Sequence, residues 1–422
     1  MRPCLNRRYY EPAGARTTGH KLETAQIESP RNRRPNLKVN GLSPIYLDHH
    51  ATTPVDPRVA DVVYAVMVEN FGNPNSADHA YGAAAARLVD QARADVARLL
   101  ETEPDDVRFT SGSSEAVGLA IAYAADRCGR SPLRLAIGRS EHGAVLDAAA
   151  AAVSQGWAMI QWLDIDEVGR IVSASLRDAL KNGTDLVCLM AANNEVGTLQ
   201  NVASAAEVAQ ASGAQLMVDA TQAAGRIELR VQTWNLDYLI LNAHKMYGPK
   251  GVGALVGAGL ADAQPPQRYA GHDSTPNTPA IAGFGEACRL RRLEMGADEP
   301  RIAALRDRLQ ARLVAAIPGL AINGDVQGRL SNNLHVSAPG APNDLVVLNL
   351  RDTVAISTGA ACSSGTDAPS HVLRAMGLPA WRQDSALRIS LGRSTTEDEI
   401  DRAGAAIIAA IRAVQAINTE SP

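Results

Sequence analysis

Two adjacent residues, His244 and Lys245, follow an apolar run and precede a glycine-rich turn in the stretch LILNAHKMYGPKGVGALV, residues 239–256. The run is typical of a buried strand, and the glycines and proline that follow mark its end. A lysine at the end of a buried strand is costly unless its charge is removed or used, and a desolvated lysine amine is nucleophilic toward a carbonyl. The chain has only five lysines, and Lys250 lies in a Gly-Pro-Lys-Gly turn that is expected to be exposed. We predict that Lys245 condenses with a carbonyl cofactor; the alternative is a strand-end lysine that reaches solvent.

A second signal is the segment VRFT followed by SGSSEAVGLAIAYA, which predicts a short strand, a Gly-Ser-Ser turn and a helix. This order places backbone N–H groups, the hydroxyls of Ser113 and Ser114 and the positive end of a helix around one point. A phosphate group would fit there. The alternative is an ordinary N-cap, with one of the two serines as the capping residue and Glu115 in the first turn.

These segments belong to a longer alternation of apolar strands and helical stretches, which indicates a mostly parallel sheet with helices on both faces. Ligands bind beyond the carboxyl ends of such strands. An amine, a phosphate cradle, a carboxylate for a ring nitrogen and an aromatic side chain for a ring face together suit pyridoxal 5'-phosphate. The loops after the predicted strands collect these groups: Ser113, Ser114, His142, Asn193, Asn194, Asp219, Gln222, His244 and Lys245.

The predicted fold class is α/β, with a large, seven-stranded-type, mostly parallel sheet domain and a smaller C-terminal α+β domain. Residues 1–43 carry nine Arg or Lys against three Asp or Glu without apolar periodicity, and we predict a disordered basic tail there. We assign residues 44–299 to the large cofactor-binding domain, whose first residues could instead join the small one, and residues 300–422 to the small domain.

Composition excludes several classes of function. The net charge of −4 gives no general attraction to nucleic acid or to an anionic membrane, and no apolar run approaches the roughly 20 residues of a membrane span. The five cysteines are scattered without a C-x-x-C pair, so we predict no metal site and a reducing, cytoplasmic location. Cys362 stands apart from the other cysteines, because its surroundings, STGAACSSGT, offer no apolar face to bury.

From about Pro44 to near the C-terminus, the chain resembles the cysteine desulfurases, which are fold-type I, class V pyridoxal phosphate enzymes. The resemblance implies that L-cysteine is converted to L-alanine while its sulfur forms a persulfide on Cys362. A protein acceptor would then take this sulfur for iron–sulfur cluster assembly, tRNA thiolation or related sulfur metabolism. The motifs that carry the resemblance are YLDHHATTPVDPRV, FGNPNSADH, FTSGSSEAVGLAI, SEHGAVLD, NNEVGTLQ, VDATQAAG, AHKMYGPKGVGAL, TPNTPAIAGFGEA, STGAACSSGTDAPSHVLRAMGL and LRISLGRSTTEDEI.

The resemblance also implies roles for individual residues. Lys245 would be the Schiff-base lysine, His142 the stacking and proton-relay residue, and Cys362 the nucleophile. Arg388 and Asn194 would position the substrate. The remaining cofactor contacts would come from Ser113, Ser114, Asn194, Asp219, Gln222, Asn242 and His244, and from Thr275 of a second subunit in a homodimer.

The chain departs from the family pattern at two places. Asn242 stands where the family usually has serine, and the glycine-rich segment before Thr275 is shortened to YAGHDST, with His272 at the family's arginine position. Three alternatives to cysteine desulfuration stay open: a selenocysteine lyase, a class V aminotransferase, and a non-catalytic scaffold that binds the cofactor, the last because of the shortened segment. Cys362 argues against the aminotransferase, which needs no thiol at that position.

Overall fold

The structure is a computed structural model that describes residues 43–266, 268–269, 275–358 and 370–420. Its largest sheet has seven strands in the order β2-β8-β7-β6-β5-β3-β4. Only β8 runs antiparallel to its neighbours in this sheet, so the prediction of a mostly parallel sheet is confirmed. Strand β8, four residues long after the glycine-rich turn, was not predicted from the sequence. The strands are β2 (Val107–Thr110), β3 (Leu133–Gly138), β4 (Ala158–Leu163), β5 (Leu186–Met190), β6 (Gln215–Asp219), β7 (Tyr238–Asn242) and β8 (Gly253–Val256).

Both faces of this sheet are covered, as the apolar strands predict. In β7, Leu239 and Leu241 pack into the core on one face, whereas Tyr238 and Ile240 pack into the core on the other. The same period of two holds in β5 and β6. The helices that flank the sheet or precede it are α1 (Pro57–Glu69), α2 (Ala80–Leu100), α3 (Ser113–Cys128), α4 (Gly143–Ser154), α5 (Ser173–Lys181), α6 (Val202–Ala211) and α7 (Thr278–Ala316).

A second core forms around a smaller, four-stranded sheet with the order β12-β13-β10-β9. The first strand of the chain joins this core, because Ile45 and Leu47 are buried in it. Within the described residues, no helix is long and apolar enough to cross a membrane. The elements are β1 (Ile45–Tyr46), β9 (Ala321–Ile322), β10 (Asn333–Ser337), α8 (Asn343–Leu350), β11 (Val354–Ala355), β12 (Ser357–Thr358), α9 (His371–Ala375), α10 (Ala380–Asp384), β13 (Ala386–Ser390) and α11 (Glu397–Glu420).

Helix α7 connects the two cores without interruption over 39 residues. Ile281 and Phe284, near its start, belong to a core of the large sheet, whereas Ile302 and Leu309 belong to the second core. Pro300, where we placed the domain boundary, lies inside this helix. The division into domains at residue 300 stays a prediction.

The segment of residues 48–56, which we call the N-terminal strap, returns from the second core to the large sheet. At its start, the backbone N–H of His50 donates to Ser390 Oγ at 2.8 Å. Further along, the hydroxyl of Thr53 donates to the His244 carbonyl at 2.9 Å, and the N–H of Asp56 donates to the Tyr247 carbonyl at 2.9 Å. The strap therefore lies directly over the turn that follows β7.

Candidate active site

A cavity of about 330 Å³ opens at the carboxyl ends of the large sheet's strands, a size within the usual range for small-molecule sites. Its lining includes ten of the residues that the sequence analysis selected, although these are spread over 276 positions between residues 113 and 388. They are Ser113, Ser114, His142, Asn194, Asp219, Gln222, Asn242, His244, Lys245 and Arg388.

Lys245 ends the short 3₁₀-helix Ala243–Lys245, which follows β7 directly. Its Nζ donates to the backbone carbonyls of His50 and Ala51 in the N-terminal strap, at 2.5 Å and 2.9 Å. The amine is partly buried and lines the cavity, so it does not simply reach solvent from the strand end. The geometry therefore favours the predicted use of this amine over the solvent-exposed alternative.

The serine end of the cavity is built by the start of α3 and the end of β7. Ser113 is the first residue of the 16-residue helix α3, so backbone N–H groups and the positive end of the helix dipole are present there. Asn242 Nδ2 donates to Ser113 Oγ at 3.2 Å, while the buried Oδ1 of Asn242 has no hydrogen-bond partner among the described residues. The chain's departure from serine at position 242 thus places an amide beside the proposed phosphate site.

His244 lies at the same end, with its Nδ1 3.0 Å from the hydroxyl of Thr52. Burial, together with the positive charges of Lys245 and Lys250, lowers the pKa of His244 to about 4. The imidazole is therefore neutral at pH 7 and can still donate one hydrogen bond.

Asp219, the last residue of β6, contributes a carboxylate to the cavity. Its side chain is buried, with 6% exposure. Its Oδ1 accepts a hydrogen bond from the N–H of Thr221 at 2.9 Å. Behind it, burial and the charge of Asp219 raise the pKa of Glu141 well above its usual value. Glu141 Oε1 accepts from the Met190 N–H, and its buried Oε2 has no hydrogen-bond partner among the described residues, as suits a protonated acid. Glu141 is therefore a neutral neighbour of Asp219.

The third group of side chains lies around Arg388, which is 2% exposed. Arg388 Nη2 donates to Asp48 Oδ1 at 2.9 Å and Nη1 to the carbonyl of Asn194 at 3.2 Å. Its buried Nε has no hydrogen-bond partner among the residues that the structure describes. A buried guanidinium with an unused donor is suited to an anionic ligand group, such as a carboxylate.

His142 and Gln222 complete the predicted set within the cavity. His142 is the N-cap of α4, and its Nδ1 accepts from the Ala144 N–H at 3.1 Å, which fixes the tautomer with hydrogen on Nε2 when the ring is neutral. Gln222 Nε2 donates to the His50 carbonyl at 3.0 Å. The same carbonyl accepts from Lys245, so the strap connects these two side chains.

Two of the selected residues that the structure describes, Asn193 and Thr275, do not line this cavity. Thr275 is exposed and lies just before α7, outside the lining residues. Cys362 and His272 lie outside the described residues. The roles that the sequence analysis gave to these residues, and to those in the cavity, stay predictions.

Sequence reasoning missed the contribution of the strap. His50 and Ala51 line the cavity, and so do Met190, Ala192 and Thr221, none of which received a role. The available signal was the motif YLDHHATTPVDPRV, which is rich in polar residues directly after a short strand. It identified a family but did not show that this segment, almost 200 residues before Lys245, packs against it.

The cavity residues fit pyridoxal 5'-phosphate. Hydroxyl and backbone donors at the start of a helix suit its phosphate, and the carboxylate of Asp219 suits its ring nitrogen. The unpartnered buried atoms Asn242 Oδ1 and Thr221 Oγ1 show that polar groups in this cavity have hydrogen-bonding capacity that the described residues leave unused.

A buried acid beside the cavity predicts a pH dependence of stability. Glu195, 3% exposed, accepts a hydrogen bond at 2.6 Å from Ser370, the first described residue after the segment that contains Cys362. Burial raises its pKa to about 7, against the opposing effects of Ser370, Arg388 and His142. Between about pH 4.5 and 7, the folded chain therefore holds a proton that the unfolded chain releases, and stability from this group falls as the pH rises.

We expect Glu195→Gln, which is neutral at every pH, to remove this dependence. Relative to the wild type, the variant should gain up to about 3 kcal/mol of unfolding free energy between pH 5 and pH 8, at ~1.4 kcal/mol for each unit of pKa shift. Urea unfolding at several pH values measures the difference. Parallel curves for the two proteins would contradict the assignment.

Comparisons with known proteins agree with this geometry. The family Aminotransferase class-V matches residues 45–403. "Cysteine desulfurase IscS" from Anaeromyxobacter sp. (strain Fw109-5) is 39% identical over 380 residues, which cover 87% of this chain and 93% of that protein. "Cysteine desulfurase" from Frankia sp. (strain EuIK1) is 40% identical over 394 residues, covering 90% and 94%.

Among solved structures, a NifS-like protein from Rickettsia africae ESF-5 superimposes with a TM-score of 0.75 at 26% identity, and the match covers 88% of this chain and 99% of that one. This likeness and the sheet topology confirm the predicted fold-type I architecture. From the family match and the identities of these relatives, the chain belongs to the class V aminotransferase family, as a member of its cysteine desulfurase group.

Proposed function

We propose that this protein binds pyridoxal 5'-phosphate and removes the sulfur of L-cysteine, leaving L-alanine and a persulfide on Cys362. The observation that carries the proposal is that the amine of Lys245, the carboxylate of Asp219 and the guanidinium of Arg388 line the same cavity. When bound there, the cofactor supplies a carbonyl for amines and a ring that accepts an electron pair.

The residues of the chain would divide the work as follows. Ser113, Ser114 and His244 would hold the phosphate, with Asn242 beside Ser113. Asp219 would keep a proton on the ring nitrogen, because a buried negative charge favours the protonated form.

Gln222 would donate to the phenolic oxygen of the cofactor, and His142 would stack on its ring. Nδ1 of His142 accepts from the Ala144 N–H at the start of α4. Nε2 is therefore the ring nitrogen that can relay a proton.

The substrate would be held by its carboxylate. Arg388 Nε has no hydrogen-bond partner among the described residues, and Nε and Nη of a guanidinium can donate two parallel hydrogen bonds to a carboxylate. Asn194 lines the same cavity, and its side chain would help to position the substrate there. Lys245 would take the proton from the α-carbon of L-cysteine, because its amine is held at the cavity wall by two carbonyls of the strap.

The sulfur transfer step balances without an added oxidant. The thiolate of Cys362 would form an S–S bond with the substrate sulfur while the substrate's C–S bond breaks. The electron pair left on carbon would take up a proton, which yields L-alanine. The persulfide on Cys362 would then pass its outer sulfur to a protein acceptor in the cytoplasm, for iron–sulfur cluster assembly or a related pathway.

We further propose a homodimer in which Thr275 reaches the partner's cavity. An exposed apolar patch supports this proposal: α1 and the following loop leave Tyr64, Met67 and Phe71 between 61% and 68% exposed. Helix α1 packs on the first turns of α7, where Gly283 lies against Val63, so the patch adjoins the segment that contains Thr275. Tyr64 and Met67 are three residues apart on α1 and so lie on one face of the helix, and exposed apolar patches mark interaction surfaces.

The proposal is tested with purified protein, pyridoxal 5'-phosphate, L-cysteine and a thiol reductant. We expect equal amounts of L-alanine and sulfide from the wild type, and a loss of both by about 10³-fold or more in Cys362→Ala, since the nucleophile is removed. Cys128→Ala, at a partly exposed thiol outside the cavity, is the control and should keep full activity. The same preparation should sediment with the mass of two chains.

Each other outcome points away from the proposal. Equal sulfide from Cys362→Ala and the wild type would exclude the persulfide. Absence of L-alanine with the wild type would favour the non-catalytic scaffold. A strong preference for L-selenocysteine would identify the lyase. Amino-group transfer to a keto acid would identify the aminotransferase.

A further inference from the structure

His50, in the N-terminal strap, is 1% exposed and has no role in the proposed chemistry. Its ring lies between two oxygen atoms, with Nδ1 3.1 Å from the Asn194 carbonyl and Nε2 3.1 Å from Asn332 Oδ1. Asn332 Nδ2 donates to the Leu391 carbonyl at 3.2 Å, which identifies Oδ1 as the atom that faces His50. Both nitrogens of the ring thus face hydrogen-bond acceptors.

Only one of these two contacts can be a conventional hydrogen bond. Burial, followed by the positive charges of Arg388 and Arg226, lowers the pKa of His50 well below its usual value. The ring is therefore neutral and carries a single N–H. The placement of that hydrogen decides which oxygen His50 holds.

The Asn194 carbonyl is the contact that bears on the site, because Arg388 Nη1 also donates to it, at 3.2 Å. Asp48, two residues before His50, accepts from Nη2 of the same guanidinium at 2.9 Å. Asp48 of the strap and the Asn194 carbonyl thus each hold one Nη atom of Arg388, and Nε has no hydrogen-bond partner among the described residues.

We propose that His50 is a positioning residue for the substrate carboxylate. Its Nδ1–H donates to the Asn194 carbonyl and fixes the oxygen that orients Arg388. This inference rests on the proposed function, in which Arg388 binds the carboxylate of L-cysteine. It assigns substrate affinity to a side chain that has no direct contact with the substrate.

Substituting His50 by Asn or by Gln distinguishes a hydrogen on Nδ1 from a hydrogen on Nε2. Asn places an N–H close to the position of Nδ1, whereas Gln places one close to the position of Nε2. We expect His50→Ala to raise the KM for L-cysteine about tenfold, the loss of one hydrogen bond, with kcat within about twofold. His50→Asn should restore KM to within about threefold of the wild type, and His50→Gln should resemble His50→Ala.

The matched control is His49→Asn, the same substitution at the neighbouring residue. His49 is also buried, but its ring packs against Tyr46, with ring centroids 5.0 Å apart, and does not line the cavity. We expect its KM to equal that of the wild type. Thermal unfolding of every variant identifies any that fail to fold, and His50→Asn is the nearest in size and polarity to the native side chain.

Binding of L-alanine gives a second readout that does not need turnover. Its dissociation constant, measured from the absorbance of the bound cofactor, should follow the same order: wild type and His50→Asn tight, His50→Gln and His50→Ala about tenfold weaker. An unchanged KM and dissociation constant in His50→Ala would overturn the inference, as would rescue by Gln in place of Asn. A wild type that binds L-alanine but does not desulfurate L-cysteine would reject the proposed function alone.

Discussion

Lys245→Ala should abolish covalent attachment of pyridoxal 5'-phosphate and lower the rate of L-alanine formation by ~10⁴-fold or more. The reason is that the amine is both the point of attachment and the base in the proposed mechanism. Borohydride reduction followed by peptide mass spectrometry should find the cofactor on the peptide that contains Lys245 in the wild type and on none in the variant. Activity assays with L-cysteine measure the second effect.

Lys250→Ala is the matched control for this experiment. Lys250 is exposed, five residues away in the same glycine-rich turn, and is not among the cavity-lining residues. We expect it to keep the attached cofactor and nearly all of the activity. Cofactor found on Lys250, or an active Lys245→Ala, would refute the assignment of the amine.

Asp219→Asn should lower kcat by about 10²–10³-fold, the usual effect of removing one electrostatic contact to the reacting group. Asn keeps the shape and the oxygen that accepts from Thr221, so the loss comes from the negative charge. Without that charge, the proton on the ring nitrogen is less favoured and the ring accepts an electron pair less readily. Stopped-flow measurement of the chemical step, together with the steady-state rate, checks this expectation.

Asp237→Asn tests whether removing another carboxylate that hydrogen-bonds to the sheet, here a partly buried one, would give the same result. Asp237 lies just before β7, and its Oδ2 accepts from the N–H of Leu216 at the opposite end of β6 from Asp219. It does not line the cavity. We expect a change in stability with kcat retained; equal losses of kcat in the two variants would mean that Asp219 acts through folding.

The sequence predicted this architecture well where local signals were strong. The buried run of β7, the short strand β2 and the helix after Gly112 were identified because apolar patterning and turn residues agree there. The amine, carboxylate and serines could be placed together because the carboxyl ends of parallel strands meet at one edge of a sheet. The start of α11 shows a local signal of the same kind: the N–H of Thr396 donates to Glu399 Oε2 at 2.9 Å, and the N–H of Glu399 donates to Thr396 Oγ1 at 3.2 Å.

Other features depend on contacts that patterning does not encode. Strand β8 is short and follows a turn, and it is stabilised by β2 and β7 on either side of it. Helix α7 continues through Pro300 because its two halves pack on different cores. The hydrogen bonds from Lys245 to the strap join residues about 195 positions apart, and the hydrophobic periodicity of the two segments does not predict them.

The N-terminal strap has a practical consequence for anyone who shortens this protein. Its contacts join the second core to the large sheet, so a shortened chain has to keep the first described strand and the strap together. A deletion that extended through Asp56 would remove Ile45 and Leu47 from the second core. It would also remove the two carbonyls that accept from Lys245 and the carboxylate of Asp48 that accepts from Arg388. A trimmed expression clone therefore has to retain the chain from Ile45 onward.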